Sequence, residues 1–122
     1  MAADLPVVYV IDDNPAVLGS LEFALRLEGF AVHASADGAD LLAGRPPGGW
    51  GCLVVDYNLQ LGNGLDLIAR LRSRGILWPA ILMTTAPAAA LRERAADAGI
   101  LIVEKPLLGD ALPDAIRRSF GG

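Results

Sequence analysis

Apolar runs of four or five residues alternate with segments of helical periodicity along the chain. The first run is VVYVI at residues 7–11, and comparable runs follow at 30–34, 52–55, 80–83 and 100–103. Most of these runs are continuously apolar, which is typical of strands that are covered on both faces of a sheet. The pattern therefore predicts five largely buried strands.

The segments between the runs carry apolar residues every three to four positions, which predicts amphipathic helices. These helices are predicted at residues 15–28, 37–43, 64–74, 87–98 and 108–120. At the start of the first one, Asn14 is placed to cap the helix and Pro15 to occupy its first turn. The apolar positions of that helix are Val17, Leu18, Leu21, Leu25 and Leu27.

Strict alternation of strands and helices implies parallel strands that are joined by right-handed crossovers. Helices would then cover both faces of the sheet. We therefore expect an α/β fold with a doubly wound, five-stranded parallel sheet. The 122 residues suit one domain over residues 1–122.

Composition excludes several classes of protein. Hydrophobic residues make up 53% of the chain and charged residues 20%, with a mean hydropathy of +0.44, which excludes a disordered chain. No apolar run approaches the roughly 20 residues of a membrane helix, and the start, MAADLPVV, lacks the basic region of a signal peptide. The net charge of −4 and the pI near 4.7 give no sign of a nucleic-acid surface. We expect a cytoplasmic domain that binds neither membranes nor nucleic acid.

Cys52 and His33 are each interpreted as structural residues. A single cysteine cannot form an internal disulfide, and the apolar neighbours of Cys52 predict a buried small hydrophobic residue. His33 ends the second predicted strand without acidic or cysteine residues at ligand spacing, and is expected to be a surface histidine.

Polar residues follow four of the predicted strands. Asp12 and Asp13 follow the first, Asp56 the third, Thr84 the fourth and Lys105 the fifth. In an open parallel sheet the carboxyl ends of the strands form the ligand-binding edge. Each of these residues could be an ordinary surface or strand residue taken alone, but together they predict one site.

The chemistry of this set favours a divalent cation and phosphoryl transfer. Three nearby carboxylates repel one another, and oxygen ligands without histidine or cysteine favour Mg²⁺ or Mn²⁺ over Zn²⁺. The chain has no glycine-rich phosphate loop, so a nucleotide is not expected. A carboxylate can itself accept a phosphoryl group, and Asp56 is the most central candidate. Lys105 and Thr84 can then bond the phosphoryl oxygens.

The segments VIDDN, LVVD, LMTT and VEKP, in this order and spacing, resemble the receiver domain of two-component response regulators. The resemblance extends from Val7 to Phe120. It implies a flavodoxin-like (βα)5 fold of strand order 2-1-3-4-5. It also implies a cis bond between Lys105 and Pro106.

The resemblance further implies that Asp56 accepts a phosphoryl group from a phosphohistidine of a histidine kinase or phosphotransfer protein. Asp13, Asp56 and the backbone carbonyl of Asn58 would bind Mg²⁺ directly, and Asp12 would act largely through water. Thr84 and Lys105 would bond the phosphoryl group and switch the face formed by the fourth helix, the fifth strand and the fifth helix. Dimerisation through that face is common in such domains. The domain would be a signalling phosphoacceptor rather than a turnover enzyme, although it would assist its own phosphorylation and dephosphorylation.

Three positions depart from the family pattern. Gln60 stands where a proline is usual, and Thr85 stands where alanine or glycine is preferred, next to the phosphoryl pocket. Ile102 stands where many receivers carry a rotating tyrosine or phenylalanine. The phosphoryl chemistry is expected to be intact and the relay to the output surface to be altered.

Two other functions stay open at this point. A degenerate receiver would keep the fold and act as a phosphorylation-independent interaction module, which the departures at Thr85 and Ile102 motivate. A small Mg²⁺-dependent phosphatase would usually need a cap domain and a second aspartate at the position of Asn58. The sequence names neither the kinase nor the output, and it does not separate a stand-alone receiver from a fragment of a longer regulator.

Overall fold

Five parallel strands form the central sheet of the computed structural model, which describes residues 7–44, 51–60, 62–105 and 109–120. The strands are β1 (Val7–Ile11), β2 (Ala31–Ser35), β3 (Gly51–Asp56), β4 (Ala80–Thr84) and β5 (Leu101–Glu104). Their order across the sheet is β2-β1-β3-β4-β5, and every neighbouring pair is parallel. The predicted strand order is confirmed. Pro106 and its predicted cis bond lie outside the described residues.

Helices cover both faces of this sheet. They are α1 (Pro15–Leu27), α2 (Ala39–Leu42), α3 (Gly64–Ser73), α4 (Ala89–Asp97) and α5 (Ala111–Ser119). Residues of α2, α3 and α4 share one hydrophobic cluster with one face of the sheet, and residues of α1 and α5 share a second cluster with the other face. The doubly wound α/β prediction is therefore confirmed. None of the described helices is long and apolar enough to cross a membrane.

The N-terminus of α1 is capped as the sequence predicts, but one of the apolar residues of the helix is exposed. The Asn14 side chain accepts hydrogen bonds from the backbone N–H groups of Ala16 and Val17, at 3.0 and 3.2 Å, so the predicted cap is confirmed. Leu21 and Leu25 are buried, whereas Leu27 is 72% exposed. Leu27 does not share their face, because a residue two positions after Leu25 lies on the opposite side of a helix.

The central strand β3 is buried along its whole length. Its side chains alternate between the two clusters, with Leu53 and Val55 in one and Cys52 and Val54 in the other. Burial raises the pKa of the Cys52 thiol to about 11, so the thiol stays neutral at physiological pH. The prediction that Cys52 is a buried small hydrophobic residue is confirmed.

A short antiparallel hairpin follows β3 and was not predicted. Asn58–Leu59 pairs with Gly62–Asn63, in the register Asn58 opposite Asn63 and Leu59 opposite Gly62. Gly62 adopts a φ of 129°, a conformation that other residues rarely reach. The hairpin leads directly into α3, whose first turn is capped by the Asn63 side chain accepting from the Asp66 N–H at 2.8 Å.

Candidate functional site

Three carboxylates converge at the carboxyl ends of β1 and β3. Asp12 and Asp13 follow the last residue of β1, and Asp56 is the last residue of β3, the strand that pairs with β1. One carboxylate oxygen from each of the three lies within 4.8 Å of the others. Asp12 and Asp56 are buried, and Asp13 is partly buried. These three residues are called the acid cluster below.

Asp12 has an unusual environment for a buried carboxylate. Its Oδ1 accepts a hydrogen bond from the Asn14 N–H at 2.9 Å, whereas its buried Oδ2 has no hydrogen-bond partner among the residues that the structure describes. Burial raises the pKa of Asp12, the Asn14 hydrogen bond opposes that rise, and the charge of Asp56 adds to it. A buried oxygen without a partner, beside two further carboxylates, fits a bound cation. The donor set of the acid cluster therefore suits Mg²⁺ or Mn²⁺.

Lys105 supplies a positive charge to the acid cluster. Its Nζ lies 2.8 Å from Oδ1 of Asp56, and the two side chains are 28% and 7% exposed. The Lys105 backbone is held by its N–H, which donates to the carbonyl of Thr84 at 2.8 Å. Within the described part of the chain, Lys105 is the cationic side chain that contacts the acid cluster, and its bond is to Asp56. One positive charge beside three carboxylates leaves room for a bound cation.

Thr84 ends β4 beside this ion pair. It is buried, and the residue before it, Met83, pairs with Asp56 across the sheet. The chain then turns sharply: Thr85 is exposed, and Ala86 adopts a φ of 43°, in the left-handed region that favours glycine. A strained residue in the loop after β4 is typical of a functional loop.

The loop after Asp56 is tied to the acid cluster in a way that the sequence did not reveal. The backbone N–H of Gln60, at the tip of the hairpin, donates to Oδ2 of Asp13 at 2.7 Å. At the base of the hairpin, the Gly64 N–H donates to the Tyr57 carbonyl at 2.8 Å. A backbone group leaves no trace in residue type, so no signal in the sequence would have found the Gln60 contact.

The predicted site residues fall into two groups. Asp12, Asp13, Asp56 and Lys105 lie together, and Thr84 joins them through its carbonyl. Ile102 lies on β5, partly buried against the cluster of apolar residues under α2, α3 and α4. The predicted role of the Asn58 carbonyl in binding a cation stays a prediction.

Comparison with known proteins places this geometry in a family. A family profile described as the response regulator receiver domain matches residues 8–117. The transcriptional regulatory protein FixJ of Azorhizobium caulinodans is 37% identical over 126 residues, which cover 99% of this chain and 57% of that protein. The C4-dicarboxylate transport regulatory protein DctR of Rhodobacter capsulatus is 33% identical over 110 residues, which cover 88% of this chain and 56% of that protein. The chain thus spans about half the length of these curated relatives.

Solved structures agree with the sequence relatives. The crystal structure of FixJ-N aligns with a TM-score of 0.81 at 30% identity, covering 93% of this chain and 92% of that one. The chemotaxis protein CheY4 of Vibrio cholerae aligns with a TM-score of 0.82 at 19% identity over 94% of this chain and 98% of that one, which shows a shared fold. Taken with the family profile and the acid cluster, these matches establish that the chain belongs to the receiver domains of two-component response regulators.

Proposed function

We propose that this receiver domain takes up a phosphoryl group on Asp56 from a phosphohistidine of a histidine kinase or phosphotransfer protein. The observation that carries the proposal is the environment of Asp56. This buried carboxylate lies at the carboxyl edge of the sheet, with Lys105 Nζ at 2.8 Å and two further carboxylates beside it. A structural aspartate has no need of two acidic neighbours, which raise the free energy of the folded state.

Mg²⁺ is the proposed cofactor, and Mn²⁺ has the same ligand preference. Asp13, Asp56 and the Asn58 carbonyl would hold the cation, with Asp12 acting largely through water. When bound, the cation neutralises negative charge on the carboxylates and on the phosphoryl group. The buried Oδ2 of Asp12, which lacks a hydrogen-bond partner in the described part of the chain, supports this assignment.

In the proposed reaction, an oxygen of Asp56 attacks phosphorus and the bond between phosphorus and the donor histidine nitrogen breaks. The bond electrons return to the imidazole ring, and Asp56 becomes an acyl phosphate. Lys105 already contacts Oδ1 of Asp56, so its ammonium group can pair with the phosphoryl oxygens as their charge arrives. Thr84 supplies a hydroxyl donor at the end of the next strand. Attack by water on the acyl phosphate would later return the free carboxylate.

Phosphorylation adds a charge of about −2 beside Lys105. That change is proposed to bias the face formed by α4, β5 and α5, through which two phosphorylated copies would associate. Ile102 replaces an aromatic relay there, so the movement of Thr84 and Lys105 must act through other contacts. The domain is a signalling phosphoacceptor in this proposal, not a turnover enzyme, and it works in the cytoplasm without contacting nucleic acid itself.

The test is the intact mass of the protein after incubation with acetyl phosphate and Mg²⁺. We expect uptake of one phosphoryl group by the wild type and none by Asp56→Ala, by Asp56→Asn or by metal-free wild type. Asp66→Asn is a matched control, since Asp66 is an exposed carboxylate in the first turn of α3. Equal uptake by Asp56→Asn would refute Asp56 as the acceptor.

A degenerate receiver is the second candidate, favoured by the departures at Thr85 and Ile102. Such a domain would fold normally but would neither bind Mg²⁺ nor take up a phosphoryl group. Mg²⁺ binding without phosphoryl uptake from acetyl phosphate would instead indicate restricted access, for which Thr85→Ala is the variant to test.

A further inference from the structure

We propose that Tyr57 is the positioning residue that carries the phosphorylation of Asp56 to α4. The inference rests on the proposed function, in which the hydroxyl of Thr84 bonds the phosphoryl group, and it names the side chain that responds to that change. Ile102 is aliphatic, so it cannot act as the rotating aromatic residue that many receivers carry. Tyr57 is an aromatic residue that follows Asp56 directly.

The hydrogen bonds of the sheet place Tyr57 opposite Thr84. Asp56 pairs with Met83 in the register of β3 and β4, and the Tyr57 N–H donates to the Met83 carbonyl at 2.8 Å. This bond holds Tyr57 against β4, so the next residue of each strand, Tyr57 and Thr84, lie opposite each other. Thr84 pairs in turn with Glu104 of β5. The three residues Tyr57, Thr84 and Glu104 therefore form a row across adjacent strands.

This row lies on the face of the sheet that packs against α4. Alternation along a strand puts Tyr57 on the same face as Val55, and Val55 belongs to the apolar cluster that includes residues of α4. Tyr57 is itself partly buried against that cluster. At the other end of the row, Glu104 lies 2.6 Å from Arg92 of α4. A change in the row therefore reaches α4 directly.

Phosphorylation would take the Thr84 side chain out of this row. Asp56 pairs with Met83, one position before Thr84, so Asp56 and Thr84 belong to opposite faces in the alternation of the sheet. A Thr84 hydroxyl that bonds the phosphoryl group therefore has to rotate over the end of β4, away from the face that packs against α4. Thr84 is buried, so this rotation leaves unfilled volume, and the side chains around such a volume lose packing contacts.

Tyr57 is the neighbour that can fill this volume. Its backbone is fixed, because its N–H donates to Met83 and its carbonyl accepts from the Gly64 N–H at 2.8 Å. Only its side chain is therefore able to move. Glu104, the other neighbour in the row, is held by Arg92, and a carboxylate is costly to bury in an apolar space.

The other apolar side chains nearby are less able to move. Ile102 lies two positions before the row on β5, and a β-branched side chain is stiff about its first torsion angle. Of the aromatic residues that the structure describes in this cluster, Tyr9 and Trp78 are 0% and 7% exposed, whereas Tyr57 is partly exposed. Inward rotation of the Tyr57 ring would bury it toward α4, whose Leu91 belongs to the same cluster.

The first experiment follows nitration of the whole chain by tetranitromethane and needs no variant. The chain has two tyrosines and Tyr9 is fully buried, so Tyr57 is the one open to the reagent. We expect Mg²⁺ with beryllofluoride, which stands in for the phosphoryl group, to slow nitration several-fold, because the ring moves inward. Mg²⁺ alone should leave the rate unchanged. Equal nitration rates with and without bound beryllofluoride would overturn the inference.

The second experiment separates the ring of Tyr57 from the general stability of the cluster. Amide shifts of α4 are recorded by nuclear magnetic resonance with Mg²⁺, before and after addition of beryllofluoride. Leu42→Ala is the matched control, because Leu42 of α2 is also partly buried against this cluster. We expect the wild type, Tyr57→Phe and Leu42→Ala to show the shift changes in α4, and Tyr57→Ala to lose most of them.

The inference and the proposed function fail in different ways. Tyr57 is outside the acid cluster, so Tyr57→Ala should take up a phosphoryl group from acetyl phosphate as the wild type does. Normal uptake together with a full α4 response in Tyr57→Ala contradicts only the inference. Equal loss of that response in Leu42→Ala contradicts it too, since the cluster as a whole would then carry the signal. A wild type that neither takes up a phosphoryl group nor binds beryllofluoride contradicts the proposed function, and the inference with it.

Discussion

Two neighbouring residues at the end of β5 form ion pairs in opposite settings. Lys105 turns to the acid cluster, where its Nζ lies 2.8 Å from Asp56, and the aspartate side chain is 7% exposed. Glu104 turns to α4, where Arg92 lies 2.6 Å away and both side chains are about half exposed, at 52% and 51%. The surface pair is the shorter one. Distance alone would therefore rank the two pairs wrongly.

Exposure to solvent determines how much each ion pair contributes to the stability of the fold. At the surface, water and salt screen the charges, and measured pairs contribute about 0–1 kcal/mol. In a buried site the charges are costly to desolvate, and removal of one partner leaves the other without compensation. The Lys105–Asp56 pair therefore compensates part of the negative charge of the acid cluster. The Arg92–Glu104 pair is a weak link between α4 and β5.

Loss of the partly buried Lys105 charge should have the largest effect. We expect Lys105→Met, without Mg²⁺, to lower the free energy of unfolding by about 2–3 kcal/mol, because three carboxylates would then share no cation. Urea denaturation with and without Mg²⁺ measures this, and Mg²⁺ should recover part of the loss. A change below about 0.5 kcal/mol, typical of a surface substitution, would remove the distinction between the two pairs.

Neutralising Asp12 should have a smaller effect of opposite sign. Because burial raises the folded-state pKa of Asp12, the stability linked to this carboxyl is fully present below its usual pKa and is lost as pH rises through the raised value. At pH 7 the ionised Asp12 therefore destabilises the metal-free fold. We expect Asp12→Asn to gain about 1 kcal/mol there, since the amide keeps the Oδ1 acceptor for the Asn14 N–H.

Urea denaturation in a chelator at several pH values checks the Asp12 prediction. The gain should shrink as pH falls toward the ordinary aspartate value of 3.8, and Mg²⁺ should stabilise the wild type more than the variant. A gain that is independent of pH would mean that ionisation of the buried Asp12 carboxyl is not its source.

The surface pair should give the smallest effect. A double-mutant cycle with Arg92→Ala and Glu104→Ala should yield a coupling energy of about 0.5 kcal/mol or less at moderate salt. The coupling should nearly vanish in 1 M salt, where the Debye length is about 3 Å. A coupling energy above about 1.5 kcal/mol would show that the Arg92–Glu104 pair contributes more than a solvent-exposed pair does. The pair would then be a candidate connection through which a structural change at Lys105 reaches α4.

The sequence predicted those parts of the molecule that depend on repeated patterns. Continuous apolar runs placed all five strands within a residue or two of their observed bounds. The rule that parallel strands share a carboxyl edge then predicted that Asp12, Asp56 and Lys105 would lie near one another. Strand order itself came from the family resemblance, since alternation of strands and helices leaves the order open.

Contacts between loops could not be predicted from the sequence. The hairpin after Asp56 consists of two-residue strands, too short for any periodic signal, and the Gln60 contact uses a backbone donor. His33 was expected at the surface; it is partly exposed, but its ring stacks on buried Tyr9 and its Nε2 lies 3.5 Å from Asp40. All of these contacts depend on how strands, helices and loops pack against one another in three dimensions. No local sequence pattern specifies that packing.

Gly64 gives β3, the strand that ends in Asp56, an unexpected point of mutational sensitivity. A Cβ atom at this position would lie 2.3 Å from the carbonyl oxygen of Asp56 and 2.9 Å from a methyl group of Val55. Any other residue would have to push the end of β3 away from the hairpin, and the carboxylate would move with it. A deep mutational scan should thus show strong intolerance at a residue with no functional group, because there the hydrogen atom of glycine is the only substituent that fits.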